Sequence, residues 1–389
     1  MTADLALRGG TLRAPALSST LLRCALYLGP LSAAVAAARP LAHLAWPVPV
    51  GTLMLGWSVA HAGTGVGALV ARRSGRGPAV KLVARVFLAA VVLWAGAAGL
   101  APATLVGPDR MLAVTAGVCS LVCLGTVTAA LVTRTEAAVV RWSLPCWLLA
   151  AVSIAGMVGD TLAQRVPVTA LLPVTIALAA ARAFRPALGA SPVGRLRGSD
   201  LRHGGMRLLL GAAQAACVAL LWRAGPPTAT SPAVLPLLAA GPVLEALIGW
   251  HRRQVQAGLD ASESAEELRA HLSGVTVVTV AALVPPLAAG TALAVAAYQV
   301  PAGTAGVLIF AGGILLSGVL AVTLLLGWRG RTGVAALLAV APPVAAFAAP
   351  LVPALPPDPL PTVVVILAAT HLAGLLIVAR TAADPRRTP

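Results

Sequence analysis

Four polar side chains stand deep inside apolar stretches of this chain, and they are where it can do chemistry: His61, Gln214, Glu245 and His371. A charged group at mid-membrane depth costs about 2.5–3.5 kcal/mol on insertion scales, so intramembrane polar residues are candidates for a substrate or ion path. Glu245 follows Gly241-Pro242, a pair that loosens a helix, and a carboxylate there is suited to bind a coupling proton or a cationic headgroup. The competing reading pairs it with His251, Arg252 or Arg253, one or two turns along the same helix. His61, Gln214 and His371 can equally serve as hydrogen-bonding glue between helices. Asp160, opposite Arg165 at the end of an apolar stretch, reads as a solvated interfacial pair.

Other reactive patterns fail on their spacing. All five cysteines (Cys24, Cys119, Cys123, Cys146, Cys217) lie inside apolar stretches, which argues against an extracytoplasmic disulfide framework. Cys119 and Cys123 share a helix face and read as small packing residues. Met157-Val158-Gly159-Asp160 lacks the first glycine of the Gly-x-Gly-Asp of intramembrane aspartyl proteases, and no second span offers a partner aspartate. His-Glu-x-x-His, Gly-x-Ser-x-Gly and a phosphate-cradling glycine loop with lysine are all absent. The loop from Pro40 to Pro47 contains no acid, unlike the first outer loop of a lipid-linked glycosyltransferase. The chain is expected to have no catalytic residue, metal site or cofactor.

The elements that must position these residues are membrane helices. The 389 residues are 59% hydrophobic and 10% charged, where soluble domains carry about 25% charged residues. Mean hydropathy is +0.91. A hydrocarbon core about 30 Å thick takes about 20 helical residues. Twelve apolar windows meet that length, at 22–39, 48–70, 82–103, 111–133, 142–159, 166–184, 207–223, 232–250, 273–297, 303–327, 333–353 and 360–379. The fold class expected is therefore all-α and polytopic, with two six-helix halves.

The basic residues orient it. The net charge of +16 suggests nucleic acid at first sight, but the arginines lie in short connectors and not on a polar domain, so no nucleic-acid partner is expected. With the N-terminus inside, 24 of the 28 lysines and arginines fall on the cytoplasmic side, and only Arg39, Arg110, Arg165 and Arg223 fall outside. This bias predicts a plasma-membrane protein with both termini cytoplasmic, its basic loops facing the anionic leaflet of the lipid bilayer. Residues 1–21 are then a cytoplasmic segment, 22–184 the first half, 185–206 a Gly-, Pro- and Arg-rich cytoplasmic linker, 207–379 the second half and 380–389 a tail. Within 251–272 a short separate helix is expected, with Ser262 before its acidic first turn. Prolines at 145, 173, 236, 242, 285, 286, 342 and 343 bend spans and free carbonyls, as in the broken helices of transporters.

Twelve spans in two sets of six, with a basic central loop, resemble both the major facilitator transporters and the multidrug/oligosaccharidyl-lipid/polysaccharide flippase superfamily. Arg72-Arg73-Ser74-Gly75-Arg76 is similar to the facilitator Asp-Arg-x-Gly-Arg signature, but Arg72 replaces the aspartate. Ala38-Arg39-Pro40 closing the first span and the glycines at 56, 63, 65 and 67 of the second resemble polysaccharide flippases. That resemblance implies alternating access between two lobes, with a lipid-linked glycan or amphiphilic small molecule as partner. The alternative, drawn from the scarcity of central charges, is a non-transporting scaffold of a cell-envelope assembly. Gly56-Trp57 and Gly249-Trp250 recur at different depths and establish no internal repeat.

Overall fold

A computed structural model describes residues 14–224, 234–299, 304–351 and 359–381. The first thirteen residues, with Arg8 and Arg13, and the tail from residue 382, with Arg386 and Arg387, lie outside the described residues. Hydrocarbon leaves a backbone no water to bond, so each span closes its own hydrogen bonds as a helix. The first half holds α1 (Ala14–Ala36), α2 (Pro47–Ser74), α3 (Arg76–Leu100), α4 (Arg110–Thr133), α5 (Glu136–Val158) and α6 (Val168–Phe184). The second holds α7 (Gly198–Ala224), α8 (Val234–Ala261), α9 (Ala265–Ala297), α10 (Thr304–Trp328), α11 (Thr332–Ala348) and α12 (Pro359–Arg380). Among the described residues nine helices are long and apolar enough to cross a membrane, and the apolar lengths of α1 and α11 are shorter.

The expected spans fall on these helices, with several differences at their ends. The connector expected at 251–272 is not a separate helix: α8 continues to Ala261 and α9 starts at Ala265. Ser264, and not Ser262, is the N-cap, its hydroxyl accepting from the Glu267 amide at 3.1 Å while the Glu267 carboxylate accepts from the Glu263 amide at 3.0 Å. Such reciprocal capping lets a helix begin abruptly in water. The linker is also shorter than expected, because α7 begins at Gly198. Its first part packs under α3, where Lys81 donates to the Ala190 carbonyl at 3.1 Å. Asp160 is a cap rather than half of an ion pair: its carboxylate accepts from the amides of Leu162 and Ala163, opening the short turn Thr161–Gln164. Gly75, at φ 89°, is the sole residue between α2 and α3, and its missing Cβ permits that turn.

A repeat that the sequence conceals is plain in the packing. In each half the first helix packs on the fifth, the second on the third and fourth, the third on the fourth, and the sixth on the fourth and fifth. Exchanging the halves turns the α2–α7 contact into the α8–α1 contact, and these two are the principal contacts between halves. The α2–α7 seam is the most extensive contact between any two helices. Small residues make it possible, as expected where lipid removes the hydrophobic drive for helix association. A Cβ on Gly211 would lie 2.8 Å from the Ser58 Cα and 2.9 Å from the Trp57 carbonyl oxygen, and one on Gly204 would lie 2.9 Å from Val66.

Large apolar side chains such as Leu88, Leu93, Leu148, Val277 and Leu337 are exposed on the outside of the bundle, where lipid is their solvent. The interior of each half is Ala, Val and Leu, with α10 the most enclosed span. Because the Gly211 contacts are with backbone, they have nowhere to yield. Gly211→Ala is expected to cost about 1–3 kcal/mol, read as a lowered Tm in detergent. Gly96→Ala, where a Cβ meets nothing within 4 Å, is expected to stay within about 0.5 kcal/mol of wild type. Equal effects at the two positions would mean that the seam is not tightly packed.

Candidate functional site

Among the described residues, polar bonds between the halves stand out at three levels. At mid-depth on the seam, the Trp57 indole N–H of α2 donates to Gln214 Oε1 of α7 at 3.0 Å, and Gln214 Nε2 donates to Thr323 Oγ1 of α10 at 2.8 Å. Gln214 is buried, and both ends of its amide are satisfied. His61, one turn along α2, sets its ring 5.4 Å from the Trp57 ring, and its Cβ faces Gly211. At the linker end of the same seam, Arg73 donates to Asp200 at 2.7 Å, and Asp200 also accepts from the Arg197 amide.

The third level joins α1 to α8. Glu245 accepts from Arg23 at 3.1 Å and from the Tyr27 hydroxyl at 2.6 Å, the two donors lying one helical turn apart. Arg23 Nε also stands 3.8 Å from Glu136 at the start of α5. One guanidinium thus serves a carboxylate of its own half and one of the other. The local pairing of Glu245 with His251, Arg252 or Arg253 is not what the structure adopts. His251 instead turns inward to Thr279, at 2.8 Å, and to Arg329.

His371 stands apart from the other three candidates. It is fully buried within the second half beside Gly318, whose missing side chain makes room for the ring, and neither ring nitrogen has a hydrogen-bond partner. Sequence depth placed it mid-span, yet depth says nothing about which way a helix turns. Arg23, Tyr27 and Trp57 are site residues that sequence reading missed. Arg23 counted only as an inside arginine, and the one available signal was its four-residue spacing from Tyr27.

Between the halves, at the linker-side ends of their helices, lies a cavity of about 810 Å3. Of the four candidates Glu245 lines it, together with Thr20 and Arg23 of α1, Arg72 of α2, Arg76 of α3, Arg207 of α7, and Gly249, Arg252 and Arg253 of α8. Arg134, just beyond α4, and Trp328, which ends α10, also line it. Glu245 is its one carboxylate among the described residues.

Two pseudo-symmetric six-helix halves around such a cavity can be compared with solved structures. An inward-facing multidrug resistance MATE family transporter of the MOP superfamily aligns over 96% of both chains with a TM-score of 0.55 at 12% identity. The fold is that of the MATE transporters. A point mutant of a MATE protein aligns over 96% of both chains, with a TM-score of 0.54 and 12% identity. The MATE multidrug transporter DinF-BH, solved as a ligand complex, aligns over 96% of this chain and 97% of its own, with a TM-score of 0.51 and 13% identity. No family model and no curated protein matches the sequence. Of the two twelve-span layouts that the sequence resembles, the MATE fold is the one adopted.

Two measurements test this geometry. In a double-mutant cycle on Arg23→Gln and Glu245→Gln, thermal unfolding is expected to show a coupling of about 1 kcal/mol, since the pair is partly exposed. Strict additivity would mean that the halves gain nothing from it. Gln214→Leu strands the Trp57 indole N–H, so it is expected to destabilise by about 1–3 kcal/mol. An unchanged Tm would show that this bond is not formed.

Proposed function

We propose that this chain is a plasma-membrane transporter or flippase that carries an amphiphilic molecule, a lipid-linked glycan or a smaller amphiphile, by rocking its two six-helix halves about the α2–α7 seam. The observation that carries this reading is the cavity of about 810 Å3 bounded by both halves, within the 300–1,000 Å3 range of sites that hold small molecules. A second support is the economy of the contacts: α1–α8 is thin and held by Arg23, Tyr27 and Glu245, so it can part while the closely packed α2–α7 seam acts as a hinge. MATE-fold proteins have been captured inward-facing, in a bent conformation and in complex with a ligand. Those states fit alternating access between two lobes.

In this reading residues 22–184 and 207–379 are the moving lobes, and the linker face is cytoplasmic, as the arginine bias favours. The four intramembrane candidates then divide by position. Glu245 faces the path, Gln214 and His61 sit on the hinge, and His371 lies within one lobe. The scaffold alternative needs no cavity and predicts a stoichiometric partner.

Purified full-length protein in liposomes is expected to move a fluorescent amphiphile or a fluorescent lipid-linked sugar under a proton or sodium gradient. No movement under any gradient, together with a stoichiometric partner in pull-downs, would decide for the scaffold. Orientation has its own test: Ser199→Cys in a background freed of the native cysteines is expected to resist an impermeant thiol reagent in intact cells and to react after lysis. Labelling of intact cells would invert the topology.

A further inference from the structure

The wall of the cavity carries seven arginines, four from the first half and three from the second, against the single carboxylate of Glu245. Positive-inside bias places arginines at these helix ends, but facing the headgroups would satisfy it equally well. Arg182, Arg195, Arg202, Arg269 and Arg380, from the same side, are not in the cavity wall. Here side chains from both halves converge on one hollow. Guanidinium groups stay protonated at any working pH, and a concave low-dielectric wall of one sign concentrates counter-ions.

Several of these side chains are held in place. Arg252 sits 5.9 Å from the centre of the Trp328 ring, a cation–π contact, and Arg207 Nε donates to His203 at 2.9 Å. Arg134 has left-handed backbone at φ 56°, the only described residue other than glycine with positive φ. Glycine is the usual choice at such a helix end, so an arginine there carries a backbone cost that glycine would not.

We propose that this basin binds a phosphate-bearing anion, gripped from both halves by Arg134, Arg207, Arg252 and Arg253. Planar guanidinium forks match phosphate oxygens in pairs, whereas a cationic ligand would meet the repulsion of the whole wall. The inference rests on the transport reading, because it names the chemical group that enters the path. It also gives Arg23 a role: an anion reaching the α1 side of the basin competes with Glu245 for that guanidinium, and so loosens the α1–α8 contact.

The test is binding, measured apart from transport. Full-length protein in phosphatidylcholine nanodiscs is titrated calorimetrically with inorganic pyrophosphate, and separately with dihexanoyl phosphatidic acid, using dihexanoyl phosphatidylcholine as control. Saturable binding of either phosphate probe is expected, weakened at least about tenfold in R252A/R253A and progressively by salt. Preference for pyrophosphate would identify a soluble phosphate as the ligand, and preference for phosphatidic acid a lipid headgroup. R134G is the folding control: its Tm should hold or rise as the strain is relieved, while affinity falls. Absence of binding by both probes, or unchanged affinity in R252A/R253A and R134G, would overturn the proposal. Liposome flux that persists despite such a result would leave transport standing with a different ligand, whereas anion binding without flux would refute transport alone.

Discussion

A peptide group surrounded by hydrocarbon has no solvent to bond with, and the described spans answer by making their hydrogen bonds within themselves wherever proline does not interrupt them. What remains free is how finished helices lean on one another, and between apolar surfaces in lipid that is decided by shape. The α2–α7 seam follows from this. Gly211 brings two backbones to a distance that no side chain could share, Gly204 makes room for Val66, and the gain is dispersion contact rather than exclusion of water. A joint of this kind is firm along its length.

Polar groups then do what shape cannot. Gln214 is bonded on one side to the other half and on the other side to its own, so it registers the depth at which the halves meet. Glu245 and Arg23 perform the pseudo-symmetric task at the thinner α1–α8 contact, with a charged bond in place of a close fit. The two contacts, related by the internal repeat, thus differ: one is closely packed, the other thin and charged.

The same arginines are read twice. Along the sequence they mark the ends of helices, and in the finished bundle seven of them surround one cavity. Counting along the chain recovers the first use and is blind to the second, because a connector position does not say whether its side chain faces the membrane surface or the space between lobes. His371 makes the converse point: deep in a span and polar, it is enclosed by its own half, next to a glycine that accommodates it.

Residue order alone was enough for the all-helical membrane class and its twelve helices, because the thickness of hydrocarbon sets how many apolar residues a span must hold. It was enough also to single out Glu245, since a carboxylate amid Leu, Ala and Ile is conspicuous whatever the fold. Connector details escaped it, as at Ser264 and Asp160, where capping depends on backbone geometry rather than on residue type. Which helix faces meet was a matter for the assembled bundle. Helices apolar all round carry no stripe to point toward a partner, so the bond from Arg23 to Glu245, 222 residues apart, could not be read along the chain. The repeat was hidden for the same reason: lipid-facing and core-facing positions accept the same Ala, Val and Leu, and the halves kept their packing order while their residues diverged.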